Sequence, residues 1–395
     1  FLGKEIEVIG DPENPENVVI DGDQNGSVVV FRNDETRTSI LSGFKLQNGT
    51  GTLYPEQEGL QGGGIFCKNA SPTISHCNIC NNHSDSKGGG VVVHNTSDPA
   101  FYNCEFSGNS SFYGGGILIA GWSNGDFDKC LFNGNHASYG GAIYAYTNGA
   151  VVTLSNCTIT ENEAENQGNI IFGNNNIRFN IENSIIRNNT PSEIYFEGGS
   201  NALISVSYSD IEDQDGWDLF AEQFGQTANL VSENNIDINP YFLSPENGDF
   251  SLKWFSPCID TGNPNSDPDP DNTQAEMGAF YFHGGRQNGD LNVPNDATTI
   301  QGAIDVAIDG DRILVDPDTY VENINFFGKE IEVIGDPDNP ENVVIDGSSE
   351  NNSVVTFNQD ETAATVLEGF TIQNGSGQYS ALIDEHAGGG IFVFH

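Results

Sequence analysis

Residues 104–120 read CEFSGNSSFYGGGILIA and residues 130–146 read CLFNGNHASYGGAIYAY. Laid over one another at an offset of 26, they align a cysteine, a phenylalanine two positions on, an asparagine at the fifth position beyond the cysteine, and a glycine cluster that opens an apolar run. The register extends outward in both directions. Glycine clusters begin at Gly62, Gly88, Gly114 and Gly140, each 26 residues after the last. Cys77, Cys104, Cys130, Cys157 and then Ser184 recur at spacings of 27, 26, 27 and 27, and Asn82, Asn109, Asn135, Asn162 and Asn189 follow at a constant offset of five. A fixed period of this length marks a repeat architecture.

Within each repeat, runs such as 114–120 and 127–132 alternate at period two, and Gly, Asn and Ser separate them as turn formers. No central repeat carries the 10-residue amphipathic helix that ankyrin, tetratricopeptide or HEAT arrays require. The expected fold is therefore all-β: a solenoid of parallel strands with 26–27 residues per coil, each coil stacked on the last at about 4.8 Å. Stacking places equivalent residues in columns. Cys77, Cys104, Cys130 and Cys157 form one inward column, and Ile65, Val91, Ile117 and Ile143 another. The asparagines are expected at a bend, where their amides ladder or their backbone turns left-handed. The glycine clusters are expected where no Cβ fits.

The pairing of Gly-Gly-Gly/Ala-Ile with Phe-x-x-Asn (Phe106 to Asn109, Phe132 to Asn135) resembles the repeats of chlamydial polymorphic outer-membrane proteins. More broadly it is similar to right-handed parallel β-helix proteins of the pectin-lyase-like superfamily. The resemblance implies a right-handed, three-faced β-helix. It does not imply one activity, because lyases, esterases, adhesins and tailspikes share that fold.

A second repeat has a much longer period. Residues 1–22 read FLGKEIEVIGDPENPENVVIDG and residues 326–347 read FFGKEIEVIGDPDNPENVVIDG, differing only at Leu2/Phe327 and Glu13/Asp338. The match continues more loosely after a one-residue slip, giving a unit of about 325 residues. The expectation is a slice of a larger tandem protein. Residues 1–285 would be a β-helix unit lacking its N-terminal cap, with an irregular junction at 240–285. Residues 286–395 would be the cap and first coils of the next unit. The junction resembles the C-terminal end of bacterial secreted β-helix proteins. Within the second segment, Thr298 or Thr299 is placed to cap a short helix over 298–308 with an apolar face of Ile300, Ala303, Ile304 and Ala307. Such a helix covers the open end of a solenoid, which is otherwise an aggregation edge. Ile300-Gln301-x-Ala303-Ile304 followed by Tyr320-Val321-Glu322-Asn323 resembles the start of pectin methylesterases.

Charge narrows the partners. The chain carries 13 Lys and Arg against 57 Asp and Glu, a net charge of −44. That balance repels nucleic acid and anionic membrane, and no apolar run approaches the length of a membrane-spanning helix. Four of the seven cysteines fall in one inward column, so free buried thiols are expected in place of disulfides. His76-Cys77-x-x-Cys80-x-x-His83 has zinc-like spacing, but Cys77 belongs to the interior column while position 80 reads as outward, so the four cannot share a tetrahedral ion. Asp267, Asp269 and Asp271 alternate along a proline-stiffened loop with Glu276 beyond, the oxygen-rich pattern a calcium ion takes. Asp213-x-Asp215-Gly216 is a shorter version of the same pattern.

No catalytic set assembles. Arg178 and Arg187 are the best solenoid candidates for lyase chemistry, yet no matched carboxylates accompany them, and the paired aspartates and arginine of a methylesterase cannot be placed. The expected function is accordingly non-catalytic: a structural protein of the cell surface or extracellular space, bacterial in character, acting as a fibre, adhesin or surface-layer component. Its units would associate end to end or be joined covalently in tandem. The alternative is a carbohydrate-binding or polysaccharide-degrading β-helix, which requires an aromatic-lined groove. Tyr113, Trp122, Tyr139, Tyr144 and Tyr146 are the candidates for it.

Overall fold

A computed structural model of the chain describes residues 1–54, 59–146, 149–165, 171–174, 177–191, 194–197, 203–212, 229–349, 352–380 and 385–394. The chain divides into two compact units. The first comprises Phe1–Pro240, Ser244–Ser251 and Cys258–His283; the second comprises Tyr241–Leu243, Leu252–Pro257 and Gly284–His395.

The first unit is a parallel β-solenoid in which each coil contributes one strand to each of several sheets. One sheet has nine strands, from Glu7–Ile9 to Asn229–Glu233, and a second has eight, from Val19–Asp21 to Asp210–Ile211. A third has six and a fourth seven, the latter running from Val29–Phe31 to Ile194–Glu197. Neighbouring strands are parallel except for the pair Thr52–Leu53 and Leu60–Gln61 in the third sheet. Registers match the sequence columns: Asn78 pairs with Glu105, Glu105 with Leu131, and Leu131 with Thr158. The glycine cluster breaks each coil between Ser110–Tyr113 and Ile117–Ala120, so a coil carries four strands where the resemblance implies three faces.

The asparagine column closes the bend after the second sheet. The Oδ1 of Asn109 accepts both the backbone N–H (3.0 Å) and the Nδ2 amide (3.1 Å) of Asn82. Asn135 serves Asn109 in the same way, Asn162 serves Asn135, and Asn189 serves Asn162. Each Nδ2 also donates to a main-chain carbonyl of the coil before it, as Asn135 does to Phe106 at 2.7 Å. These side chains are buried, and their donors and acceptors are satisfied by one another. The left-handed backbone falls one residue earlier, at Asn81, Gly108, Gly134, Glu161 and Asn188, with φ between 54° and 60°. A second left-handed column, His76, Asn103, Lys129, Asn156 and Asn183, turns the chain before the cysteines.

Inside the coils the columns stack on themselves. Phe101 lies on Phe127 with ring centroids 5.1 Å apart, and Phe106 lies on Phe132 at 4.5 Å. Cys77, Cys104, Cys130 and Cys157 are buried and unbridged, as are Cys67, Cys80 and Cys258. Burial pushes the Cys67 thiol up to about 12, and it behaves as a small apolar side chain. At the glycine bends the approach is too close for a side chain: a Cβ on Gly115 would sit 2.4 Å from the carbonyl oxygen of Gly141.

The second unit begins with Asp290–Val293, which pairs in parallel with Arg312–Val315, then Glu332–Ile334 and Val366–Glu368. Helix α1 (Ile300–Val306) lies against its first strands and buries Ile300, Ala303, Ile304 and Val306. It ends earlier than the expected 308, because Ala307 adopts extended backbone. Thr299 is the cap, its side chain accepting from the Gly302 N–H at 3.0 Å. The Glu322 carboxylate takes the next two free donors, the Ile300 and Gln301 N–H groups, at 3.0 and 2.8 Å. Helix ends leave such donors without partners, so one Thr and one Glu complete the start of the cap.

The duplicated segment builds the same coil in both units. Strand, 3-10 turn and strand run Glu7–Ile9, Pro15–Asn17, Val19–Asp21 in one and Glu332–Ile334, Pro340–Asn342, Val344–Asp346 in the other. Its hydrogen bonds recur as well. Asn17 donates to Asp11 and Asn342 to Asp336, both at 2.9 Å. Asp21 accepts from Gln47 and Asn48, as Asp346 does from Gln373 and Asn374.

Candidate functional site

Three places in the first unit concentrate side-chain chemistry: an acidic strap, an aromatic surface and a buried ion pair. The strap, residues 258–279, is fastened to the solenoid by its backbone. Asn263 N–H donates to the Asn183 Oδ1 (2.7 Å), Gly278 N–H to the Asn183 carbonyl (2.8 Å), and Ala279 N–H to the Thr158 hydroxyl (3.0 Å). The Ser266 hydroxyl and the Asn263 amide both reach the Glu182 carboxylate.

The three aspartates of the expected calcium loop diverge along this strap. Asp267 is exposed. Asp271 turns back on Thr273, accepting its N–H at 3.2 Å and its hydroxyl at 2.7 Å. Asp269 points inward, is buried, and accepts the Glu276 N–H at 3.2 Å. Alternation in an extended loop would keep the three on one side, but the chain turns at 269–273, where the Asn272 N–H donates to the Asp269 carbonyl and the Asp269 N–H to that of Thr273, so Asp269 meets Glu276 and not its two neighbours. Among the described residues no three His, Cys, Asp or Glu side chains are grouped to hold a metal ion. Glu276 is the residue that spacing alone underrated. Burial first, then the adjacent Asp269 and Asp260, push its carboxyl well above the usual carboxylate range. The Asp213-Asp215 pattern lies outside the described residues. Of the zinc-spaced set, Cys77 and Cys80 are buried, while His83 is exposed and bonds Ser110 and Asp85.

The aromatic surface lies where the third and fourth sheets meet. The outward residues of the fourth sheet, Phe66, Val92 and Leu118, are buried under a second apolar cluster with Tyr54, Tyr113, Tyr144 and Tyr146. Tyr113 stacks on Tyr139 at 5.5 Å and touches Tyr144 at 5.0 Å, and Tyr144 continues to Tyr146 at 5.7 Å. The Lys87 ammonium donates to the Tyr146 hydroxyl at 3.0 Å. Four of the five aromatic candidates thus form one continuous, half-exposed surface. Trp122 is 66% exposed at φ 63°, its ring against Gly149.

Residues 16–180 match a family model described as a right handed beta helix region. Those residues lie within the parallel solenoid of the first unit, which fits a parallel β-helix repeat protein. No curated protein and no solved structure matches the chain.

Of the two cations considered for catalysis, Arg187 is tied into the framework. Arg187 bridges Asp210 (3.0 Å) and Asp237 (2.7 Å), and only 13% of its side chain is exposed. Arg178 is exposed at the start of its strand, beside Val151 and Leu203. Glu16, on the surface near the second sheet, is held below the usual carboxylate range by Lys45 at 2.6 Å, which suits an ion pair and not a general acid. Among the described residues no helix is long and apolar enough to cross a membrane.

One guanidinium shared by two carboxylates leaves Asp210 under-compensated. Burial pushes its carboxyl up to about 7, against the lowering effect of Arg187 and the Ile238 N–H. A carboxyl whose folded value exceeds its unfolded one binds more protons in the native state, so its contribution to stability is greatest below pH 4 and falls as pH rises towards 7. Urea unfolding should therefore show a smaller loss of stability between pH 4.5 and 7.5 for Asp210→Asn than for the parent chain, by a few kcal/mol at most. Equal pH slopes in the two proteins would mean that Asp210 is ionised in the native state throughout.

Proposed function

We propose that this β-helix is a non-catalytic structural protein of the cell surface or extracellular space, built from repeated β-helical units of about 325 residues. The observation that carries the reading is the duplicated segment. Its sequence recurs with two changes in 22 positions, and its strands and hydrogen bonds recur with it. A module that continues a rod must keep its coil's framework bonds in every copy, and this segment keeps them. A solenoid suits that task because each coil needs only its neighbours, so length grows without a new core. The charge of −44 keeps such modules apart laterally and makes their association sensitive to salt. Partners in this reading are further copies of the same unit, joined end to end or in tandem. Electron microscopy of the native protein should reveal filaments or rods whose axial repeat corresponds to one 325-residue unit. Isolated particles with the mass of a single unit would remove the reading.

The aromatic surface favours a second reading, a carbohydrate-binding β-helix. Sugar rings present an apolar face of C–H groups, and half-exposed tyrosine rings offer an apolar body and a polar tip to receive it. Screening against a glycan array should then yield binding that falls at least roughly tenfold in Tyr144→Ala, as loss of a buried aromatic anchor commonly does. A blank array with the parent chain would leave the structural reading alone.

A further inference from the structure

We infer that Asp269 and Glu276 form a binding site for a hard divalent cation of the calcium class, seated under the strap of residues 258–279. Glu276 is only 3% exposed and Asp269 only 7%, and the Asp269 Oδ2 accepts the Glu276 N–H at 3.2 Å, which brings the two acids together. The Glu276 Oε1 is buried with no hydrogen-bond partner. A buried acceptor left without a partner carries its full desolvation penalty, and a native chain rarely keeps one without cause. Neither acid forms an ion pair with Lys, Arg or His among the described residues.

Two adjacent carboxylates, one with a free oxygen, match the first demand of a calcium ion, which takes six to eight oxygen ligands, water and main-chain carbonyls among them. Asp260, a further acid in the same strap, adds negative charge without having to be a ligand. The position explains what an ion would do there. Asp269 sits in the middle of the strap, and Glu276 lies two residues before Gly278, which is pinned to Asn183. An ion between the two acids ties the strap's free middle to its fastened end. This ligand set differs from Asp267, Asp269 and Asp271, so the two sets can be told apart by substitution.

The test is isothermal titration of calcium chloride into the intact chain after chelator treatment, at about 0.15 M salt to screen the diffuse atmosphere around an acidic surface. One saturable site is expected. Asp269→Asn and Glu276→Gln should each weaken it roughly tenfold or more, and Asp267→Asn should leave it unchanged. Both weakened variants remain folded, since an amide donates to the carboxylate it now faces; circular dichroism checks this. Hydrogen exchange adds a second readout: calcium should slow exchange over residues 262–278 in the parent chain and not in Glu276→Gln. Uptake that never saturates, an affinity untouched by Glu276→Gln, or a loss in Asp267→Asn as large as in Glu276→Gln would each overturn the assignment.

Discussion

The first unit depends on one buried row of hydrogen bonds, the amide ladder from Asn82 to Asn189. A parallel solenoid pairs its strands through ordinary ladders, but the chain must leave the sheet at every corner, where backbone groups lose their partners. At the corner after the second sheet this deficit recurs once per coil in the interior. An asparagine is the side chain that can cancel it repeatedly, because its amide both donates and accepts. Here one Oδ1 accepts two donors from the coil before it, while the Nδ2 donates to that coil's carbonyl and to the next Oδ1. Register follows, since a one-residue slip would strand every donor in the row.

The other columns follow from the ladder's spacing. Once coils are fixed one above another, glycine must stand where carbonyls of successive coils approach to within a Cβ radius, as at Gly115. The interior fills with like on like: phenylalanine on phenylalanine and thiol above thiol. The same logic reaches the second unit through a different device, a short helix whose N–H groups are closed by Thr299 and Glu322.

Much of this was legible in the sequence, because a solenoid writes its contacts as a period. Cys104 to Cys130 and Asn109 to Asn135 are neighbours in space for the same reason that they are 26 residues apart. The helix and its cap were legible as well, although its end was not, since nothing in the side chain of Ala307 forbids another turn. The left-handed column His76, Asn103, Lys129, Asn156 and Asn183 escaped notice because its residues share a conformation and not a chemistry. The candidate sites were harder still. Alternating aspartates suggested one shared ion, yet the loop sends Asp269 inward to Glu276, seven residues on, and turns Asp271 onto Thr273. Such pairings come from how an irregular strap folds back on a regular body, which no period records. The tyrosine surface lay between these cases: Tyr113 and Tyr139 are a repeat column, while their contact with Tyr144 depends on the angle between two sheets.

The claim on which all of this rests is that successive coils are coupled through the asparagine amides, and a double-mutant cycle measures it most directly. Asn109→Ala, Asn135→Ala and the double variant would be compared by equilibrium unfolding, with Asn82→Ala and Asn162→Ala as a pair without direct contact. The account expects each single change to cost several kcal/mol, because it strands two donors and a carbonyl, and expects the adjacent pair to be non-additive by about 1–3 kcal/mol. Additivity within about 0.5 kcal/mol for Asn109 and Asn135 would contradict it, and the coils would then be held by backbone pairing and apolar stacking alone.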